Sequence, residues 1–304
     1  MNLILKNLLD NVGNRNNSSP LFMPNIQAEK QDRPLPGDLE EQQDIPCGEA
    51  GLFADVVYPR NRETEARPVM AFVHGGALVT GDRKTNRVFC QEIARRGFVV
   101  YSVEYRLIDR ADVHGMVSDV CAALSMVRAT AMRFGGDPGR VSLCGESAGA
   151  FLAIYAAAVG KSETLCRAFG CEAHGIEISR LILLSGMIYT TGSDPISLLY
   201  KRTLYPEESR DRVLMARISP DNPQIISSLP PVLLVSSRAD FLRGNTLNYA
   251  KALEQNHHEH RLLYYLENKA LTHAFPSLLP SLPESRDVID AIKDWVNDSM
   301  RLSR

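Results

Sequence analysis

Val141-Ser142-Leu143-Cys144-Gly145-Glu146-Ser147-Ala148-Gly149-Ala150-Phe151-Leu152-Ala153-Ile154-Tyr155-Ala156-Ala157-Ala158 is the stretch from which the fold can be read. A short apolar run leads into a pentapeptide bounded by glycines, and that leads into an alanine-rich run of high helix propensity. Strand, sharp turn and helix in this order are the context in which G-x-S-x-G raises a serine on a strained elbow. Side chains two positions before or after Ser147 would collide with neighbouring backbone, so glycine stands at both places. The helix behind the turn aims its amide dipoles at the point where a negative oxygen would develop. Ser147 is the candidate nucleophile.

A serine hydroxyl needs a base within hydrogen-bond reach, and the base needs a group to orient it. Behind such an elbow the acid and base follow the serine in the order Asp or Glu, then His. The run Pro231-Val232-Leu233-Leu234-Val235-Ser236 leads into Arg238-Ala239-Asp240-Phe241-Leu242-Arg243. The run Arg261-Leu262-Leu263-Tyr264-Tyr265-Leu266 precedes Leu271-Thr272-His273-Ala274-Phe275. Asp240 and His273 are thus expected just beyond the carboxyl ends of strands, where α/β sheets place their sites. The rivals are weaker. His257, His258 and His260 cluster at a helix end before a strand, and read as a solvated turn rather than a metal tract. Asp194, Asp211 and Asp221 have no preceding strand to position them, and His114 and His174 read as surface or capping residues.

His74-Gly75-Gly76-Ala77 directly follows the apolar run Val69 to Val73. Glycines here let backbone N–H groups approach a substrate carbonyl oxygen, completing an oxyanion hole with the N–H of Ala148. On either side of these motifs the chain alternates between strand-like and helix-like segments. Strands are expected at Leu52 to Tyr58, Val69 to Val73, Phe98 to Val103, Arg140 to Cys144, Leu181 to Ser185, Val232 to Ser236 and Leu262 to Leu266. Helices are expected at Asn86 to Arg96, Met116 to Phe134, Ala148 to Val159, Thr246 to Gln255 and Ser285 to Met300. Several strands are apolar on both faces, as central parallel strands covered by helices must be. The pattern predicts one α/β domain over 46–304, with a mostly parallel central sheet flanked by helices. Residues 187–229 exceed what a crossover needs and read as a cap or lid insertion. Residues 1–45, rich in Asn, Ser, Pro and Gln, read as an amino-terminal arm or a partial lid, with an amphipathic segment at 1–9.

Composition narrows the function. Among 304 residues, 34 Lys and Arg against 36 Asp and Glu leave a formal charge of −2, with no basic stripe for nucleic acid. No window reaches the roughly 18 apolar residues of a membrane-spanning helix. Six cysteines without a C-x-x-C pair form no disulfide framework and fit a reduced, cytoplasmic setting. A local Cys166–Cys171 bridge is the alternative in an exported protein.

Taken together, these motifs resemble the α/β-hydrolase fold, and within it the hormone-sensitive-lipase-like carboxylesterases, near the kynurenine formamidase and isoprenylcysteine methylesterase groups. The resemblance runs from about Leu52 to the carboxyl terminus. It rests on His74-Gly75-Gly76-Ala77, Glu104-Tyr105-Arg106-Leu107, Phe134-Gly135-Gly136-Asp137-Pro138, the Ser147 pentapeptide, Asp240-Phe241-Leu242-Arg243 and His273-Ala274-Phe275. It implies a triad of Ser147, Asp240 and His273, with oxyanion donors at the amides of Gly76, Ala77 and Ala148. These esterases usually carry glycine where Ala77 stands, and the extra methyl group argues for a narrower pocket. The implied activity is cleavage of small to medium acyl esters through an acyl-enzyme, with no metal and no organic cofactor. Amide hydrolysis of the arylformamidase kind and a non-catalytic receptor on the same fold are the alternatives. The partner expected is a small-molecule ester, with neither nucleic acid nor a membrane span, and a homodimer is compatible with the fold.

Overall fold

Alternation within the apolar runs decides which helices each strand meets. The computed structural model describes residues 33–48, 51–61, 65–191, 195–206 and 212–302. The segment expected at 1–9 and most of the arm lie outside the described residues, as do Asp194 and Asp211. Eight strands form one sheet: β1 (Leu39–Cys47), β2 (Leu52–Pro59), β3 (Arg67–Val73), β4 (Val99–Val103), β5 (Gly136–Glu146), β6 (Ile178–Leu184), β7 (Val232–Ser237) and β8 (His260–Tyr265). Their spatial order is β1-β2-β4-β3-β5-β6-β7-β8. β1 and β2 pair antiparallel, as do β2 and β4, and every other pairing is parallel.

Val69, Ala71, Leu143, Leu181, Leu183 and Leu234 face one core with α2 (Val113–Thr130), α3 (Ala148–Lys161) and α8 (Arg243–Gln255). Met70, Phe72, Cys144, Ile182, Leu233 and Val235 face a second core with α1 (Arg87–Arg95) and α10 (Pro283–Leu302). Because successive side chains on a strand point to opposite faces, an unbroken apolar run serves both layers. Helix α4 (Glu163–Phe169), three short helices and the single turn α9 (Phe275–Leu278) complete the described elements. The short three are α5 (Pro195–Leu204), α6 (Arg212–Arg217) and α7 (Pro223–Ile226), and all lie in the segment expected as an insertion.

Three expectations need correction. The arm expected to reach residue 45 ends earlier, since Leu39–Cys47 is an edge strand hydrogen-bonded to β2. It carries a register shift between Gln42 and Ile45, with Asp44 left-handed at φ +59°. Its alternation is interrupted there, and its middle, Glu40 to Asp44, is an unbroken polar run. The helix expected at Met116 to Phe134 is α-helical only to Thr130 and continues as a 3-10 turn closed by Gly135 at φ +78°. His174, expected at the surface or as a cap, is not at the surface: it is buried, its Nε2 lies 3.2 Å from the Ala156 carbonyl, and its Nδ1 accepts from the Ile176 amide.

Candidate active site

β5 ends on a residue whose backbone departs from ordinary geometry. Ser147 has φ +51°, in the left-handed region that costs a non-glycine residue roughly 1–3 kcal/mol. Its neighbours hold it there. Its N–H donates to the Leu184 carbonyl at 2.9 Å, and its carbonyl accepts from Met187 at 2.9 Å and Ala150 at 3.1 Å. The steric role expected of the flanking glycines is borne out. A Cβ on Gly145 would lie 2.5 Å from the Gly149 carbonyl oxygen, and one on Gly149 would lie 2.1 Å from that of Val73. Helix α3 starts at Ala148, so the Ala148 amide, at its first position, has no partner within the helix.

β7 and β8 end beside it. His273 Nε2 lies 2.9 Å from Ser147 Oγ, and His273 Nδ1 lies 2.8 Å from Asp240 Oδ1. A carboxylate can only accept, so Nδ1–H donates to Asp240 and Nε2 is left to accept from the serine hydroxyl. The three side chains expected to converge, distant in sequence, are within hydrogen-bond reach, and all are buried. Burial would raise the Asp240 pKa. The hydrogen bond and charge of His273, with donors from Leu242 N–H and Ser236 Oγ, outweigh it and hold the carboxyl below its ordinary range. The ring of Phe241, one of the few exposed large apolar side chains among the described residues, lies 4.4 Å from that of His273.

The loop after β3 turns sharply beside the serine. Gly76 sits at φ +110°, where a Cβ would lie 2.1 Å from the Thr80 carbonyl oxygen, and Ala77 and Leu78 follow at φ +55° and +60°. The Gly76 carbonyl closes the turn by accepting from Val79 and Thr80, both at 3.0 Å. Neither the Gly76 nor the Ala77 amide meets a backbone acceptor among the described residues. Tyr200 of α5 donates its hydroxyl to the Ala77 carbonyl, tying the insertion to this loop. His74 stacks on Tyr105 with ring centres 4.4 Å apart, and burial lowers its pKa to about 4. It is therefore neutral near pH 7 and donates through Nδ1 to the Gly75 carbonyl at 2.7 Å.

Two anchors were not foreseen. Glu146 is buried and accepts from Asn86 Nδ2 at 2.8 Å, while its carboxyl packs so close to Gly75 that a Cβ there would lie 2.5 Å from Oε1. Burial raises its pKa, against the lowering effect of His273 and of its hydrogen-bond donors. Ser185, left-handed at φ +49°, accepts from the Ala274 amide at 3.0 Å and so fixes the turn that carries His273. The first signal was visible as the acid inside the pentapeptide. The second is a lone serine after a strand and carries none. The rival histidines 257 and 258 lie between α8 and β8, and His260 is the first residue of β8, all away from this end of the sheet; no metal-holding cluster occurs among the described residues.

The family model described as alpha/beta hydrolase fold matches residues 70–277. The probable isoprenylcysteine alpha-carbonyl methylesterase ICME of Oryza sativa is 36% identical over 102 residues, covering 34% of this chain and 24% of its own length. The carboxylic ester hydrolase LipN of Mycobacterium tuberculosis is 28% identical over 227 residues, covering 70% of this chain and 58% of its own. The chain thus spans about a quarter of the length of the methylesterase it matches. Esterase B from Lactobacillus rhamnosis superimposes with a TM-score of 0.81 at 22% identity, covering 90% of this chain and 91% of that one. On the family match, the sheet order and the elbow together, the chain belongs to the alpha/beta hydrolase fold family, on its hormone-sensitive-lipase-like side.

Proposed function

We propose that this protein is a carboxylesterase acting on small to medium acyl esters through an acyl-enzyme. The observation that carries the reading is the unbroken line from Asp240 through His273 to Ser147, at 2.8 and 2.9 Å. In this mechanism His273 Nε2 takes the hydroxyl proton as Ser147 Oγ attacks the carbonyl carbon. Asp240 holds the imidazole in the required tautomer and stabilises the imidazolium. The amides of Gly76, Ala77 and Ala148 receive the oxyanion. His273 then gives its proton to the leaving alcohol, and water repeats the cycle on the acyl-serine. No step requires a metal or an organic cofactor.

An ester is favoured over a formamide by the name of a relative that covers 70% of this chain, a carboxylic ester hydrolase. We assign residues 187–229 as a lid, supported by the Tyr200 bond to the oxyanion loop. A cytoplasmic location agrees with six unpaired thiols, and a homodimer is tested by light scattering. Turnover of a short p-nitrophenyl ester series, compared with that of N-formylkynurenine, tests the reaction class; strong preference for the formamide overturns it. Ser147→Ala is expected to lower kcat by about a million-fold and abolish fluorophosphonate labelling. Failure of the intact protein to label supports the non-catalytic receptor instead.

A further inference from the structure

The reaction uses none of the six cysteines, yet three of them converge: Cys121 on α2, Cys166 on α4 and Cys171 just beyond α4. Helix α4 stops at Gly170, left-handed at φ +61°. The Gly170 N–H donates to the Arg167 carbonyl at 3.1 Å, and the Cys171 N–H donates to that of Cys166 at 3.2 Å. This pair of bonds is a Schellman motif, which brings the side chains on either side of the cap into contact. Here both are thiols. Cys166 Sγ donates to the Cys171 carbonyl at 2.8 Å, and Cys171 Sγ lies 3.8 Å from the Cys166 carbonyl, so each sulfur sits over the other residue's peptide.

These two are also the most accessible thiols. Cys166 and Cys171 are 8% and 9% exposed, against 3% or less for Cys47, Cys90, Cys121 and Cys144. Within the trio the proton is easiest to remove from Cys171. Its pKa is lowered first by a hydrogen bond from Cys121, against burial, and further by Cys166 and by His114, whereas that of Cys121 is raised. A thiolate is the form that attacks an oxidant.

We propose that Cys166 and Cys171 form an oxidisable dithiol, a modification site that takes a hydroperoxide as oxidant and closes to an intramolecular disulfide. The Cys171 thiolate attacks the peroxide oxygen, breaking the O–O bond, and becomes a sulfenic acid as one water leaves. The Cys166 thiol then attacks that sulfur, gives up its proton and expels the hydroxyl as a second water. Two thiols and one hydrogen peroxide thus become one disulfide and two waters. The closed loop is short, so the bridge restricts the unfolded chain only modestly, and small thiols reopen it.

The test is to expose the full chain to hydrogen peroxide, alkylate it under native conditions, and map its peptides by mass spectrometry. The expected product links Cys166 to Cys171 with loss of two hydrogens, and dithiothreitol reverses it. Cys121→Ser keeps the link, while Cys166→Ser leaves Cys171 as a sulfenic acid captured by dimedone. A Cys121–Cys171 link overturns the assignment. So does the persistence of two free thiols at 166 and 171 in the wild-type chain, under peroxide that fully oxidises glutathione. The mapping on wild-type protein stands whether or not either variant folds.

Discussion

His74 carries a lesson about single side chains, because burial against Tyr105 lowers its pKa from the ordinary 6.5 to about 4. Between those values the unfolded chain binds a proton that the folded chain does not. The native state is therefore favoured fully above pH 6.5 and loses that advantage as the pH falls toward 4. The shift corresponds to roughly 3 kcal/mol. Urea denaturation of wild type and His74→Gln at pH 7.5 and pH 4 is expected to show a loss on acidification that is smaller by about that amount in the variant. Equal losses would remove His74 from the acid response. Ala77 is the second case. Its left-handed φ of +55° costs an alanine on the order of 1 kcal/mol, and its methyl lies in the loop expected to supply oxyanion donors. Ala77→Gly is expected to raise the melting temperature slightly and to increase kcat/KM for long-chain relative to short-chain p-nitrophenyl esters. An unchanged ratio would show that the methyl does not narrow the acyl pocket.

At the scale of elements, the crossing of β3 over the start of α3 tolerates no side chain. A Cβ at Gly149 would fall 2.1 Å from one backbone oxygen and 2.5 Å from another, so strand and helix would have to separate. Gly149→Ala is expected to cost more than about 4 kcal/mol and to give insoluble protein. Gly244, exposed in the first turn of α8 with nothing within 4 Å of a built Cβ, is the opposite case. Gly244→Ala is expected to stabilise by roughly 0.5–1 kcal/mol in thermal melts. Similar melting temperatures for the two variants would refute the steric account. This contrast explains what the sequence could reveal. The elbow glycines, Asp240 and His273 were legible because each requirement is local: a turn, or a chemical group just after a strand. Glu146 with Asn86, and Ser185 with Ala274, were not legible as pairs, because 60 and 89 residues separate partners that only the folded sheet brings together.

For the whole molecule, the least legible part is the edge of the sheet. β1 reads Leu-Glu-Glu-Gln-Gln-Asp-Ile-Pro-Cys and shows little alternation, because much of what holds it is electrostatic. Three arginines on or just before α1 reach back across that edge: Arg83 to Asp44, Arg87 to Glu41 and Arg95 to Asp38. Arg83 also pairs with Asp55 on β2 and with Glu104 after β4, so one guanidinium joins three segments of chain. The Arg87–Glu41 pair is the best placed to matter. Its two parallel bonds are 3.0 and 2.9 Å long, and both side chains are mostly buried. Bidentate, partly desolvated pairs are stronger than exposed ones, which contribute about 1 kcal/mol at most. A double-mutant cycle with Glu41→Gln and Arg87→Gln, measured by urea denaturation, is expected to give a coupling energy of roughly 1–3 kcal/mol. That coupling should fall only modestly in 1 M salt, because the pair is largely shielded from solvent ions. A coupling near zero would mean that β1 is held by its ladder to β2 and by Leu39 and Cys47 in the two cores, with its arginine contacts incidental.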